Sequence, residues 1–531
     1  MTNRREFLRH GAFAVAGLGS LRLPGWLDRV LVADPDAVHA LALRAIDAAR
    51  AAGATYADAR LTRTLHESYI SAVPRGETEE LGVAVRALFN GYWGFAAGPY
   101  WEPDDVVQLA RDAVAQAKAY ALGTARAVDW TAIPAATGSW STPVRHDPFT
   151  VAIEEKIEFA AAWMTLVNQF DRHTRGDCVM NFRRQERAVA TTDGTYITQT
   201  IYATGGGYTM SFNEPGERQR VVRASARGLE DTGAGWEVFL DAKLEDQLPA
   251  MFADTQDQLS GRQTKPGDIG RYTVVFDAAS MASILAYTLG SASQVDRVMG
   301  YEANAGGVSY LGTDALAALG TMVASPLVTV TADRTLARGL STVRWDGEGV
   351  PAVPYPLVSD GVLVDYQTTR EQAGWLAPWY QKHGRPVASR GCAEAESALY
   401  TTMQHMPNLV LQPGRDHASF DDLVAGTTRG IAIIGAGVGM NIDGGQGIIS
   451  SAKRVREIVN GKLGADLTGI MAIFGSRDLW KHVVAVGGAA SAEQVPLGAG
   501  KGEPSQHMAF SVRAVPARVA NVAFIYSADR S

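Results

Sequence analysis

Ser283-Ile284-Leu285-Ala286-Tyr287-Thr288-Leu289-Gly290-Ser291-Ala292-Ser293-Gln294-Val295-Asp296-Arg297 runs on to Tyr301-Glu302-Ala303-Asn304 and follows an apolar run at 272–276. Met281, Ile284, Leu285, Thr288 and Leu289 recur at helical spacing, so the stretch predicts a strand that leads into a helix with one buried face. The chain changes character around it. Upstream, helical periods alternate with hairpins; downstream, strands dominate, at 272–276, 327–332 and a hairpin in which 356–358 and 362–364 flank Ser359-Asp360-Gly361. The polar segment 260–268 separates the two regimes.

Working outward to the N-terminus, Asp36 can cap a helix over 37–52, and residues 104–121 return to the same period. Between them, 82–89 and 92–95 flank Asn90-Gly91, a strong short-range signal for a β-hairpin. A link with proline and serine at 133–148 precedes an amphipathic helix predicted over 149–170. Alternating residues at 188–208 around Asp193-Gly194 predict a second hairpin, and 236–255 a further helix. At 531 residues the chain exceeds what one hydrophobic core usually serves. The reading is α+β, with an N-terminal α/β domain over 34–132, a middle domain over 149–258 and a β-rich C-terminal domain over 268–531.

Residues 1–33 read as a targeting signal. Asn3-Arg4-Arg5-Glu6-Phe7-Leu8 has the twin-arginine pattern, and the apolar run at 11–18 is far shorter than the roughly 20 residues of a membrane span. Export to the periplasm by the twin-arginine route is the expectation. Leu31-Val32-Ala33 is a poor cleavage site, so removal of the signal stays open. The net charge of −7 gives no electrostatic reason to expect nucleic acid as a partner. Cys178 and Cys392 are too few for a disulfide framework or a cysteine-based zinc site.

Motifs for common chemistries fail on particular residues. Gly435 and Gly437 begin a dinucleotide-like pattern, but Met440 stands where its third glycine is required. Gly500-Lys501 lacks both the upstream glycine and the following hydroxyl of a phosphate loop. The histidines include no pair four residues apart on a helical face.

The stretch at 283–304 resembles the TldD/TldE (PmbA) family, in which a strand leads into a helix bearing H-E-x-x-x-H and many members continue through Asp-Arg to Tyr-Glu-Ala-Asn. The resemblance runs in order along the chain: the 82–95 hairpin, 324–330, 347–352, Met406-Pro407-Asn408 with Gln412-Pro413-Gly414, and Arg456-Glu457-Ile458 with Asn460-Gly461-Lys462. It implies a zinc metallopeptidase fold and dimers of a histidine-bearing subunit with a metal-less sister, enclosing a cavity for unfolded peptides. The ligand positions depart from the family. Ala286 stands for the first histidine, Tyr287 for the general-base glutamate, Ser291 for the second histidine and Ala499 for the cysteine of a Cys-Gly-Lys segment. Methyl groups donate nothing to zinc, and without zinc the route to hydroxide at neutral pH is lost.

The expectation is therefore a chain without catalytic residues, metal or cofactor, paired with a TldD-like subunit carrying the intact motif or with itself. An active peptidase with relocated ligands and a metal-free binding or scaffold protein are the alternatives. Tyr301, Glu302, Asn304 and Cys392 are candidates for cavity wall or subunit contact; against this stand a hydrogen-bonded loop for the first three and a buried small hydrophobe for Cys392. Asp296 with Glu302 could suit only a hard cation.

Overall fold

The computed structural model describes residues 35–99, 102–123, 128–214, 220–259, 264–441 and 443–527. The twin-arginine segment lies outside them. Among the described residues no helix is long and apolar enough to cross a membrane.

The N-terminal half is built on one sheet. Helix α1 (Pro35–Ala51) leads to strands β1 (Tyr56–Ile70), β2 (Val73–Phe89) and β3 (Tyr92–Gly98), then to α2 (Pro103–Tyr120) and β4 (Thr137–Ser141). Helix α3 (Ile153–Phe170) precedes β5 (Thr174–Thr191), β6 (Tyr196–Glu214), β7 (Arg220–Ser225) and α4 (Leu244–Leu259). The strands order as β3-β2-β1-β5-β6-β4, with β7 also on β6. The segments 34–132 and 149–258 thus meet along β1 and β5, which pair antiparallel from Asp58↔Thr191 to Ile70↔Val179. Leu41, Ile46, Val106 and Ala110 of α1 and α2 bury against Leu61, Val83 and Val85 at one end. Trp163 of α3 packs with Phe182, Tyr208, Trp236 and Phe239 at the other.

The hairpin at Asn90-Gly91 forms as its sequence predicts, with φ of 51° and 83°, the left-handed pair that a tight turn between twisted strands requires. Two expectations need correction. The proline-containing link contains β4, which pairs parallel with β6 through a polar Thr-Gly-Ser-Trp-Ser run that carries no apolar alternation. Helix α3 starts at Ile153, because Pro148–Thr150 forms a separate 3₁₀ turn capped by Asp147.

Gly94 of β3 faces α2 so closely that a Cβ there would lie 1.9 Å from the Ala113 carbonyl oxygen and 2.5 Å from the Ala117 nitrogen. Backbone cannot yield as a flexible side-chain tip can. Gly94→Ala is expected to displace α2 and to destabilise by at least about 1–3 kcal/mol, read as a lowered thermal midpoint; an unchanged midpoint would refute this contact.

The C-terminal half holds two larger sheets. Strands β8 (Thr264–Pro266) and β9 (Gly270–Phe276) belong to the first, and β10 (Val330–Ala332), β11 (Tyr355–Ser359) and β12 (Val362–Leu363) to the second. A two-stranded ribbon, β13 (Ala393–Glu394) with β14 (Met403–Gln404), precedes β15 (Leu409–Leu411), β16 (Arg429–Met440), β17 (Gln446–Val459), β18 (Lys462–Thr468) and β19 (Ile470–Gly475). The chain ends in β20 (Val483–Val486), β21 (Glu493–Lys501), β22 (Gln506–Ala514) and β23 (Ala517–Tyr526). The eight-stranded sheet runs β16-β9-β23-β19-β17-β18-β8, with β20 also on β23, and a further pairing of β16 with β17 closes five of its strands into a ring. The six-stranded sheet runs β12-β11-β10-β15-β22-β21, which leaves β21 at its edge. Helix α5 (Ala278–Leu285) leaves β9 and is buried between the two sheets, with Met281, Ile284 and Leu285 in one core with Phe276, Leu409, Phe510 and Val512.

Buried ion networks join the halves. Arg86 of β2 meets Asp58 at 2.8 Å and Glu348 at 3.0 Å, and its guanidinium stacks over Trp93. Glu394 of β13 lies between Arg187 of β5 and Arg334. Burial alone would raise the Glu394 carboxyl, but the two guanidiniums override it and hold it at about 2.

Candidate functional site

The site begins where β9 ends. Asp277 caps α5 by accepting from Ser280 N at 2.9 Å, and its other oxygen accepts from Gly435 N at 2.9 Å. Ser280 Oγ accepts from Ala436 N at 2.9 Å, so the glycine-rich stretch of β16 anchors the helix start.

Helix α5 then widens into a π turn over Ala286–Gly290, and Ser291 N donates to Ala286 O. A π turn closes its hydrogen bonds from i to i+5 and recurs at functional positions. Its consequence here is positional. Residues 286 and 291, two of the positions singled out in the sequence, are five apart, and the wider turn brings that spacing towards one face. Side chains around it hold the turn. The Thr288 hydroxyl donates to Ile284 O and accepts from the buried Trp480 Nε1 at 2.8 Å. Gln367 Nε2 donates to Gly290 O at 2.6 Å and to Ser293 Oγ at 2.9 Å.

Tyr287, Ser291, Gln294 and Arg297 of this segment face Gly498–Lys501 of edge strand β21 across a cavity of about 230 Å³, with His405, Met406, Met508 and Phe510 completing its wall. Three of the four positions singled out in the sequence, Tyr287, Ser291 and Ala499, therefore meet at one cavity. Ala286 is fully buried in the core beside them. Tyr287 OH donates to Gly498 O at 3.1 Å, tying the π turn to the edge strand. Burial pushes the Tyr287 phenol above its ordinary value, so it stays protonated and cannot serve as a base near neutral pH.

Zinc does not fit this donor set. Two methyls, a hydroxyl and a protonated phenol occupy the positions, and zinc requires nitrogen, thiolate or carboxylate. Among the described residues no group of three or more His, Cys, Asp and Glu is placed to hold a metal ion.

The ion pair of Lys501 with Asp296 and the burial of His405, both beside the cavity, were not legible in the sequence. Lys501 is 4% exposed and its ammonium meets Asp296 at 2.6 Å, Gln294 Oε1 at 3.3 Å and Gln404 Oε1. Burial lowers its pKa, and the Asp296 carboxylate opposes that shift. Its three donors are thereby engaged within the protein. His405 is 4% exposed with Nε2 unpartnered. Burial, with the Lys501 charge adding to it, lowers this imidazole to about 3, so it is neutral throughout the physiological range. The signal for His405 lay in its position immediately before the Met406-Pro407-Asn408 block.

The remaining candidates stand outside the cavity. Glu302 is buried and accepts from Gly502 N at 3.0 Å, which fastens its loop to the end of β21. Tyr301 is exposed and packs on Trp375 at 5.1 Å between ring centroids, and Asn304 is exposed. Cys392 is fully buried against Tyr355 OH at 3.3 Å, and burial raises its thiol to about 11, which makes it part of the core. Asp296 is committed to Lys501 and Glu302 to Gly502, so the two do not form a hard-cation site.

The sequence and the fold agree with known proteins. Residues 269–513 match the PmbA/TldA metallopeptidase C-terminal domain. The chain is 26% identical over 417 residues to a metalloprotease of Methanocaldococcus jannaschii, covering 77% of this chain and 84% of that one. It is 30% identical over 137 residues to a TldD-homologue metalloprotease of Haemophilus influenzae, 26% of this chain and 25% of that protein. The crystal structure of TldE from Thermococcus kodakarensis superposes with a TM-score of 0.63 at 15% identity, over 91% of this chain and 99% of that one, which is likeness of fold. Residues 269–513 thus match the family's metallopeptidase C-terminal domain, and the curated relatives and the α+β architecture together support the TldD/PmbA family for this chain.

Proposed function

We propose that this chain is a zinc-free, non-hydrolytic member of its family that is exported and helps to enclose a peptide-substrate cavity with a histidine-bearing homologue. The observation that carries the reading is the chemistry of the cavity: the π turn and the facing edge strand enclose it, while Tyr287, Ser291 and Ala499 supply no zinc donor set. Zinc bound in the family's place would provide a Lewis acid and a water of lowered pKa; in this chain Tyr287 instead ties the helix to β21 and Lys501 closes on Asp296. Likeness in fold to TldE supports the sister-subunit role, and the edge position of β21 leaves backbone hydrogen-bonding groups beside the cavity for an extended segment.

The experiment is metal analysis of the purified, dialysed chain, followed by peptidase assays of the chain alone, of a homologue with intact H-E-x-x-x-H, and of the two together. No retained zinc, no hydrolysis alone and altered hydrolysis by the mixture are expected. Stoichiometric zinc in the chain, or peptide cleavage by it alone, would overturn the reading.

A further inference from the structure

A second cavity, of about 260 Å³, lies on the eight-stranded sheet and shares no residue with the one beside β21. Ile473 of β19, Ala523 of β23 and Arg271 of β9 are direct cross-strand partners, so their side chains share one face of that sheet. Their neighbours Ala472, Phe474 and Phe524 belong to the core behind it. Gly475, two residues past Ile473, continues the first face and pairs with Gln446. The chain then turns into the short helix Ser476–Lys481, which sets Asp478 over that face: a Cβ on Gly475 would lie 3.7 Å from Asp478 Oδ2. Arg271 reaches in from the other side. Its Nη1 donates to Asn521 O at 2.9 Å, and the antiparallel register that sets Ile473 against Ala523 brings Asn521 towards Gly475. The guanidinium and the carboxylate thus stand on neighbouring strands, about 4.8 Å apart at the backbone, in one cavity, yet among the described residues neither has an ion-pair partner. His482 adds an acceptor. Its Nδ1 lies 2.7 Å from Asp478 O; a carbonyl oxygen only accepts, so Nδ1 carries the proton and Nε2 is the acceptor of the neutral ring.

We infer that this cavity binds a free α-amino acid with an apolar side chain, its carboxylate on Arg271, its ammonium on Asp478 and His482 Nε2, and its side chain against Ile473, Leu479 and Ala523. All six residues line the cavity. The charges select a zwitterion. A metal ion would be attracted by Asp478 and repelled by Arg271, and an inorganic anion the reverse, whereas a ligand with one charge of each sign meets an opposite charge at both ends. The spacing selects a free amino acid over a longer peptide, because only there do ammonium and carboxylate flank a single carbon and reach two groups one strand apart. Between the charged groups the wall is apolar, which suits an aliphatic side chain. The volume agrees. It falls below the roughly 300–1,000 Å³ of sites for drug-sized ligands and exceeds several-fold the roughly 30 Å³ of one water. Binding makes and breaks no covalent bond, and with no shared residue it goes beyond the zinc-free, non-hydrolytic reading.

The test is isothermal titration calorimetry of the full-length chain with L-leucine, beside N-acetyl-L-leucine, which lacks the ammonium, and L-leucinamide, which lacks the carboxylate. One L-leucine per chain is expected, with each analogue binding at least about tenfold more weakly, the loss expected for one hydrogen bond between charged groups. Arg271→Gln and Asp478→Asn are each expected to weaken L-leucine by the same factor while leaving the thermal midpoint of the ligand-free chain unchanged, because both side chains are exposed. Absence of L-leucine binding, or undiminished binding by either variant, would overturn the inference. Equal binding of L-leucinamide would make the cavity a site for a peptide N-terminus, and equal binding of N-acetyl-L-leucine a site for a carboxylate alone; either result overturns the zwitterion assignment. Zinc content and peptide hydrolysis are not read in this titration, so the zinc-free reading stands or falls by its own measurement.

Discussion

Glu394→Ala is expected to destabilise the chain by about 3–5 kcal/mol, the largest effect of any single substitution considered. Glu394 is fully enclosed and bonds the guanidiniums of both Arg187, from the N-terminal sheet, and Arg334, from the C-terminal half. Arg334 also donates to Ser341 O at 3.0 Å and Gly391 O at 2.8 Å, and Arg187 to Trp345 O at 3.0 Å. Those carbonyls cannot neutralise two buried cations once the carboxylate has gone, and burying an uncompensated charge costs more than the pair contributes. The loss should appear as a lower urea midpoint and as earlier exposure of the junction between the halves to proteolysis. A midpoint within about 0.5 kcal/mol of wild type would show that the network is dispensable.

The same residue predicts a pH dependence. Its folded pKa, about 2, lies below its ordinary value of 4.5, so the unfolded chain binds the proton more readily. The contribution is fully present above about pH 4.5 and is lost as the pH falls towards 2. Glu394→Gln should flatten stability against pH across that window. A slope equal to that of wild type would reject the assignment.

The second large effect is a gain. The combined variant Ala286→His, Tyr287→Glu, Ser291→His and Ala499→Cys is expected to retain stoichiometric zinc through dialysis, and the wild-type chain is expected to retain none. The π turn already sets residues 286 and 291 at the i to i+5 relation, and strand β21 already brings residue 499 to the same cavity. Only donor atoms are missing. The imidazole at 286 enters a fully buried position, and overpacking there should cost about 1–3 kcal/mol. Zinc binding at a structural site of this donor type is worth about 10 kcal/mol or more, so the metal decides the balance. The variant should melt below wild type with chelator and above it with zinc. A folded variant that loses zinc on dialysis would show that the π turn does not present the two positions together.

Much of the scaffold is visible in local patterns. The Asn90-Gly91 turn, helices α1 and α2 and the hairpin at Ser359–Gly361 follow from short-range turn chemistry and periodicity, which need no distant partner. Strand β4 escaped because its five residues carry no alternation and are held by parallel pairing with β6, nearly sixty residues away. Residues 34–132 and 149–258 read as separate segments because the pairing of β1 with β5 spans more than a hundred residues of intervening chain.

For the site, the identity of each side chain at 286, 287, 291 and 499 was enough to show that these four positions offer no zinc donor set, because donor capacity belongs to the residue itself. Which of them meet, and what else meets them, depended on folding. Met508 faces Ala499 only through the register of β21 with β22, Met406 reaches Gly290 only through packing, and His405 is closed off from water only by the structure folded around it. Chemistry that depends on atoms present can be read one residue at a time, whereas chemistry that depends on convergence and desolvation exists only once the sheets and the π turn have closed around the same space.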